Sequence, residues 1–136
     1  MIILDTCVIL EAFRKKGKGA KISPATDQLR QMIEDDWPIA IPGIVLQEFL
    51  TGFRSDRSIQ QTLDLISGFP RILAEEDDHI LGARIRSICL KKGLAATGID
   101  CLIAATAINR NGRLFTFDQD FVHISKVCHL KLFSQL

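Results

Sequence analysis

The sequence predicts an α/β fold: a three-layer α/β/α sandwich with a central, mostly parallel sheet of four to five strands. Short apolar runs recur along the chain, and each lacks the 3.6-residue periodicity of a helix. Longer segments with helical spacing of apolar residues lie between these runs. Strands that alternate with helices form parallel sheets that are covered on both faces. The unbroken alternation, with no linker-like stretch, predicts a single domain over residues 1–136.

Capping residues, prolines and glycines bound the elements of the first half of the chain. The predicted strands are at residues 1–4, 37–41 and 71–73, and the predicted helices are at residues 7–13, 24–34, 44–53 and 58–67. Thr6 is expected to cap the first helix, and Ser23 before Pro24 opens the second. Residues 14–21 are rich in glycine and lysine, which predicts a loop.

The second half continues the alternation. Helices are predicted at residues 77–92 and 100–109, and strands at residues 113–117 and 130–133. Lys91, Lys92 and Gly93 give the long helix a positive last turn and a glycine stop. Thr97 can cap the helix that follows. The acidic run at residues 75–79 is typical of a solvated first turn, where the helix dipole favours negative side chains.

Composition excludes several classes of protein. No apolar run approaches the roughly 18 to 20 residues that cross a bilayer, and Asp5 interrupts the N-terminal run too early for a signal peptide. We therefore expect a cytoplasmic protein without a membrane partner. The four cysteines show neither C-x-x-C pairing nor zinc-ligand spacing, which favours buried free thiols. The formal net charge of +1 neither requires nor excludes a nucleic-acid partner.

Four widely separated acidic residues each lie at the edge of an apolar segment: Asp5, Glu48, Asp100 and Asp118. Asp5 and Asp118 come at the ends of predicted strands. Asp100 lies in a first helical turn, and Glu48 lies in the helix after the second strand. Ligands of open parallel sheets bind beyond the carboxyl ends of the strands. One topology can therefore bring all four carboxylates to the same edge of the sheet.

Each acidic residue also has a purely structural interpretation. Asp5 can cap the helix that follows it, and Asp100 can be an ordinary first-turn acid. Asp118 can be a turn residue. Glu48 can lie on the solvated stripe of its helix, although its neighbours Leu46, Phe49 and Leu50 are apolar. The joint placement of the four acids, rather than any single one, favours a site.

A shared cation accounts for that joint placement. Four carboxylates brought together without a cation repel one another, and some remain protonated. Oxygen-only ligands match Mg²⁺ or Mn²⁺. Such an ion positions a water, lowers its pKa and stabilises charge on a phosphate, which is the chemistry of phosphodiester hydrolysis. The pattern of acids is compatible with one ion or with two.

Four motifs surround these acids. They are Ile-Leu-Asp5-Thr6, Glu48-Phe-Leu-Thr-Gly52, Asp100-Cys-Leu-Ile-Ala-Ala-Thr-Ala107 and Thr116-Phe-Asp118-Gln-Asp120-Phe121. They are spread along nearly the whole chain, and the blocks that begin at Asp100 and Thr116 are the most specific. In these motifs the sequence resembles the PIN-domain nuclease family, and within it the VapC-like toxins of bacterial toxin–antitoxin pairs.

The resemblance implies a PIN-like fold and a metal-dependent endoribonuclease that hydrolyses RNA phosphodiester bonds, with Mg²⁺ or Mn²⁺ as the cofactor. It assigns catalysis and metal binding to Asp5, Glu48, Asp100 and Asp118. Thr6 and Thr116 become hydroxyls that orient a carboxylate or contact a phosphate. The resemblance further implies an RNA substrate, a cognate antitoxin protein and a homodimer.

Two positions depart from the family pattern. Cys7 stands where relatives often carry Ser, Asn or Asp, so a polar contact is expected to be lost there. One residue separates Asp118 from Asp120, whereas many relatives have two. Asp120 therefore either binds a second metal ion through water or caps the turn before Phe121, and the cap is the favoured interpretation.

The basic loop is a candidate RNA-binding surface. Its cations are Arg14, Lys15, Lys16 and Lys18. The loop leaves the helix that begins next to Asp5, so it either contacts an RNA backbone through phosphates or is simply solvated. The chain has no tyrosine, and Trp37 falls in a predicted strand. Recognition of RNA by base stacking is therefore not expected.

Two alternatives to a ribonuclease stay open. The first is a catalytically silent PIN-like module that binds RNA or a protein, and the presence of all four acids disfavours it. The second is a phosphatase of the haloacid-dehalogenase type, which also starts with a strand ending in Asp. That enzyme class needs a second Asp two residues later, where this chain has Cys7.

Overall fold

The computed structural model describes residues 1–13 and 18–133, and these form five strands around which the helices pack. The strands are β1 (Ile2–Leu4), β2 (Ile39–Pro42), β3 (Arg71–Ile72), β4 (Arg113–Phe115) and β5 (Lys131–Leu132). Their order across the sheet is β3-β2-β1-β4-β5, and every neighbouring pair is parallel. The predicted parallel sheet is confirmed.

The central strand β1 explains why the chain begins with an unbroken apolar run. Ile2, Ile3 and Leu4 are all buried. Strands covered on both faces are apolar throughout rather than alternating. On one side Ile3 is in register with Ala40 of β2, and on the other side with Leu114 of β4.

Seven helices lie within the described residues. They are α1 (Thr6–Phe13), α2 (Pro24–Glu34), α3 (Gly43–Thr51), α4 (Asp56–Leu65), α5 (Glu76–Lys91), α6 (Gly98–Asn109) and α7 (Gln119–Ser125). Right-handed crossovers place α1 to α4 on one face of the sheet and α5 to α7 on the other, giving the predicted three layers. Of these helices, none is long and apolar enough to cross a membrane.

The strand order reverses between β1 and β4, which makes this junction the topological switch point. From β1 the chain moves outward to β2 and β3, then returns to β4 on the opposite side of β1. Loops leave the two strands in opposite directions there, and a crevice opens at their carboxyl ends. The sheet therefore presents its crevice beside Asp5, the residue that follows β1.

Several element boundaries differ from those expected. Thr6 is the first residue of α1 rather than its cap, because the carbonyl of Asp5 already accepts the amides of Val8 and Ile9. β2 begins at Ile39, and Trp37 precedes it with 43% of its side chain exposed. Pro38 lacks an N–H to donate to the sheet, which explains the later start. In contrast, Ser23 caps α2 as predicted, accepting from the amide of Thr26 at 3.2 Å.

The interpretation of residues 75–79 as a solvated turn is wrong for Asp78, which is 1% exposed. Its carboxylate accepts from the Arg110 guanidinium at 3.0 Å, from the Asn109 amide at 2.8 Å and from the Glu75 backbone N–H at 2.9 Å. Burial opposes its charge, but these donors outweigh burial and hold the pKa of Asp78 below its usual value. The contacts join the start of α5 to the end of α6.

The two helices also approach closely at Gly82. A Cβ there would lie 3.4 Å from the Cα of Leu102 and 3.5 Å from the Cys101 carbonyl oxygen. Because glycine has no side chain, α5 packs directly on the backbone of α6 at Gly82. Arg110 fixes the C-terminal end of α6 against α5, and the close approach at Gly82 fixes the helix nearer its start. Together these two contacts set the position of the N-terminal end of α6 at the sheet edge.

Arg110→Ala should destabilise the protein by about 3 kcal/mol or more, because it leaves the Asp78 carboxylate buried without its cation. The same variant also removes the donors to the carbonyls of Thr106 and Leu73. Urea unfolding followed by circular dichroism measures the change. Arg84→Ala is the matched control, since the side chain of this exposed arginine of α5 makes no hydrogen bond within the described residues. An equal loss in both variants would contradict the role of the pair.

Candidate active site

Asp5 lies at the carboxyl end of β1 and is 5% exposed. Its backbone N–H donates to the Phe115 carbonyl at 3.1 Å, which extends the pairing of β1 with β4 by one residue. Its carboxylate Oδ1 accepts the N–H of Thr6 at 2.8 Å. Its Oδ2 accepts the Thr116 hydroxyl at 2.7 Å. Both oxygens are therefore oriented by neutral donors from α1 and from the residue after β4.

The same threonine links Asp5 to Asp118. The Thr116 Oγ1 atom donates to Asp5 and accepts the backbone N–H of Asp118 at 3.0 Å. Asp118 then caps α7, because its Oδ1 accepts the N–H of Asp120 at 2.9 Å. β4 ends at Phe115, two residues earlier than predicted, and the exposed Asp118 follows in the turn that leads to α7.

Thr6 links Asp5 to Glu48 in a similar way. Its backbone N–H donates to Asp5, and its Oγ1 donates to Glu48 Oε1 at 2.9 Å. Glu48 lies in the second turn of α3, the helix that leaves the end of β2. One threonine therefore holds two carboxylates whose positions are 43 residues apart in the sequence.

Asp100 enters from the first turn of α6, and its local contacts form a capping box. The Thr97 hydroxyl oxygen accepts the Asp100 N–H at 3.1 Å, and Asp100 Oδ2 accepts the Thr97 N–H at 3.2 Å. The charge of Asp100 raises the pKa values of both Asp5 and Glu48, so it acts on both residues through the crevice. Helix capping and participation in an acidic crevice coexist in this residue.

The charges of the crevice are uncompensated. Burial, followed by the repulsion of Asp100, raises the pKa of Asp5 against the opposing effect of its three hydrogen bonds. Burial and the charges of Asp5 and Asp100 likewise raise the pKa of Glu48, while its bond from Thr6 lowers it. No basic side chain within the described residues pairs with any of the four acids.

Comparison with known proteins shows the family of the chain. The model of the family described as PIN domain matches residues 2–127. This chain belongs to the PIN-domain family. It is similar to Ribonuclease VapC11 of Mycobacterium tuberculosis, with 30% identity over 133 residues that cover 96% of each chain.

Solved structures of the PIN-like fold are similar over almost the whole chain. VapBC2 from Rickettsia felis, bound to a DNA fragment from their promoter, is 25% identical with a TM-score of 0.77, and 98% of each chain is covered. FitAcB from Neisseria gonorrhoeae is 20% identical with a TM-score of 0.75, covering 99% of this chain and 98% of that one. The predicted family and the predicted fold are both confirmed.

Cys7 was expected to remove a polar contact from the PIN domain, and this expectation is wrong. Its thiol donates to Asp5 Oδ2 at 3.3 Å and lies 3.5 Å from the Thr116 hydroxyl oxygen. Its sulfur accepts the backbone N–H of Phe117 at 3.3 Å. Burial, followed by the charge of Asp5, raises the pKa of Cys7, so the thiol stays protonated and able to donate. The Cys7 thiol thus makes the donor and acceptor contacts expected of a small polar side chain.

The remaining predicted residues are placed as follows. Asp120 is not the cap of α7, since Asp118 has that role and Asp120 lies in the first turn. Lys18 is exposed, whereas the predictions for Arg14, Lys15 and Lys16 fall outside the described residues. The hydroxyl of Thr6 orients the carboxylate of Glu48, and the hydroxyl of Thr116 orients that of Asp5.

Metal coordination is not preformed in the acidic crevice. Within residues 1–13 and 18–133, no three His, Cys, Asp or Glu side chains converge closely enough to hold a metal ion directly. The carboxylates instead share hydrogen-bond donors and repel one another at longer range. Their arrangement suits a cation that retains some of its own water ligands.

Asp5→Asn should raise the midpoint of thermal unfolding of the metal-free protein at neutral pH. The pKa of Asp5 is raised from its ordinary value of 3.8, so the folded state binds its proton more tightly than the unfolded state. Stability is therefore lost as the pH rises above 3.8 and through the raised value. The amide carries no charge and avoids this loss.

Scanning calorimetry in EDTA from about pH 4 to about pH 7 measures the effect, which should grow with pH. Glu34→Gln, on an exposed side chain of α2, is the control and should show little change. A midpoint lower than that of the wild type at neutral pH would contradict the assigned cost of the Asp5 charge.

Cys7→Ala should speed hydrogen exchange at the Phe117 amide, because the variant removes the acceptor of that N–H. Cys7→Ser keeps both a donor and an acceptor and should restore much of the protection. The Asp118 amide, which donates to Thr116, serves as the internal reference. Amide exchange measured by NMR distinguishes these outcomes, and unchanged Phe117 exchange in Cys7→Ala would rule out the contact.

Proposed function

We propose that this chain is a divalent-metal-dependent endoribonuclease that hydrolyses RNA phosphodiester bonds, and that it is the toxin of a toxin–antitoxin pair. The principal support is the acidic edge at the switch point, where threonine hydrogen bonds join Asp5 to Glu48 and to the turn that carries Asp118, and where the charge of Asp100 acts on Asp5 and Glu48. None of the four acids has a basic partner in the described residues. The PIN-domain relative that is 30% identical is named a ribonuclease. These two observations are independent of each other.

The donor set suits Mg²⁺ or Mn²⁺. All four acids offer oxygen ligands, and Asp5 is buried with an anionic form that burial and repulsion disfavour. The four acids would hold the ion, and Asp120 could add a contact through water. Once bound, the ion would lower the pKa of a water and stabilise negative charge on the phosphate. Magnesium usually keeps several waters at such sites, so direct ligation by every acid is unnecessary.

The threonines fix the geometry of the carboxylates. Thr6 holds Asp5 and Glu48 together, and Thr116 holds Asp5 and the turn that leads to Asp118. Since Asp5 receives donors at both oxygens, its orientation is set before any ligand arrives. Such preorganisation reduces the reorganisation needed when charge develops on the phosphate.

The phosphatase alternative conflicts with the geometry of Asp5. A carboxylate nucleophile must expose an oxygen to an incoming phosphorus, whereas Asp5 is 5% exposed and both of its oxygens accept hydrogen bonds. Cys7, two residues later, donates to Asp5 instead of providing a second acid. A role as silent binding module is disfavoured because the four acids are retained without basic partners among the described residues.

An apolar cleft between α1, α3 and α4 is suited to a protein partner. Its walls include Leu10, Phe13, Phe49, Phe53 and Leu65, and its volume is about 450 Å³. VapBC-5 from Mycobacterium tuberculosis, a solved structure of similar fold, is a member of the VapBC family of toxin–antitoxin systems, and we propose that the antitoxin of this chain packs here. We place the pair in the cytoplasm, where RNA is available. A homodimer remains a prediction from the family resemblance.

Asp5→Asn and Asp100→Asn should each reduce RNA cleavage by at least about 100-fold, the scale expected when transition-state electrostatics are lost. Both substitutions preserve shape, so circular dichroism should stay unchanged. Glu76→Gln, an exposed acid of α5, is the control and should cleave normally. The measurement uses a labelled RNA of mixed sequence with magnesium or manganese.

EDTA should abolish cleavage by the wild type, and either ion should restore it. Cleavage at the wild-type rate by Asp5→Asn or Asp100→Asn would refute the assignment of the acids. Cleavage that persists in EDTA would refute the metal dependence alone.

A further inference from the structure

An open cleft adjoins the acidic crevice and is separate from it. It has a volume of about 460 Å³. Its walls are Cys7 and Glu11 of α1, Ser23, Pro24 and Ala25 at the start of α2, and Phe117 on the turn between β4 and α7. Cys7 connects the cleft to the acidic crevice, because this residue lines the cleft and its thiol donates to Asp5. A molecule in this cleft therefore lies beside the carboxylates.

The aromatic wall of the cleft is exposed and yet fixed. The Phe117 side chain is 40% exposed. Phe115 supports its ring edge-on, with ring centroids 5.7 Å apart and planes at 79°. The Phe117 backbone N–H is held by the Cys7 sulfur at 3.3 Å. Leaving this large apolar surface in water is unfavourable, and the fixed ring provides a platform for a flat ligand.

We propose that the cleft binds a nucleobase of the RNA next to the cleaved phosphate, with the base stacked on Phe117. This inference rests on the proposed ribonuclease function. The cleft is large enough for a base, every base has a face that stacks on an aromatic ring, and Cys7 both lines the cleft and donates to Asp5.

The position of Phe117 links base binding to the acidic crevice. Phe117 lies between Thr116, which donates to Asp5, and Asp118, whose N–H donates back to Thr116. A base held on Phe117 consequently fixes the adjoining backbone phosphate relative to these acids. This proposal departs from the expectation from sequence that RNA is not recognised by base stacking.

The test measures RNA binding without cleavage. A fluorescein-labelled RNA of random sequence, about 12 nucleotides long to span one such site, is titrated in EDTA with full-length protein, and fluorescence polarisation reports the dissociation constant. Phe117→Ala should weaken binding at least about fivefold, the lower limit expected for loss of one stacked base. Phe117→Trp should bind at least as well as the wild type.

Two controls separate a base contact from other causes. Trp37→Ala removes an exposed aromatic ring that precedes β2 at the opposite end of the sheet, and it should bind RNA normally. An oligonucleotide of the same length whose sugars carry no bases should bind wild type and Phe117→Ala equally. Thermal unfolding verifies that each variant is folded at the assay temperature.

Each outcome of these titrations has a definite meaning. Equal binding of RNA by wild type and Phe117→Ala would overturn the base site, as would a difference that persists with the base-free oligonucleotide. A Phe117-dependent binding without any cleavage in magnesium or manganese would support the base site and overturn the proposed nuclease function. Absence of RNA binding by the wild type in EDTA would overturn the base site alone, because the proposed nuclease needs its metal ion.

Discussion

Where β1 and β4 lie side by side, the Asp5 carboxylate collects hydrogen bonds from two separate segments of the chain. Thr6 and Cys7 donate from the start of α1, and Thr116 donates from the residue after β4. The rest of the crevice is positioned through these donors, because Thr6 also holds Glu48 and Thr116 also holds the amide of Asp118. Through these bonds, the parallel pairing of β1 with β4 sets the relative positions of Asp5, Glu48 and the backbone of Asp118.

The carboxylates of the crevice destabilise the folded state, and contacts elsewhere in the fold offset that cost. Burial and mutual repulsion disfavour the charged forms of Asp5 and Glu48. The Asp78–Arg110 pair, by contrast, satisfies a buried charge and joins α5 to α6 far from the crevice. Asp100 and Asp118 also contribute locally by capping α6 and α7. For these two acids the structural interpretation is confirmed, and their proposed role at a metal site is compatible with it.

Features determined by local sequence were predictable, and those determined by tertiary packing were not. Apolar runs, Ser23 and Thr97 located the elements because strand burial and helix capping depend on neighbouring residues. The partner of Asp78 is 32 residues away, so its acidic surroundings gave no sign of burial. Cys7 and Phe117 were missed for a similar reason. Their contact depends on where β4 ends, and strand boundaries respond to the fold around them.

The turn from Thr116 to Asp118 has a consequence for how such a protein diverges. Its two successive amides are tied down by Cys7 and Thr116, so the backbone path does not depend on the side chain at position 117. A single codon can therefore change the residue that faces the cleft while the neighbouring acid stays in place. Among duplicated copies within a genome, this separation would allow substitutions at position 117 to accumulate without displacing Asp118.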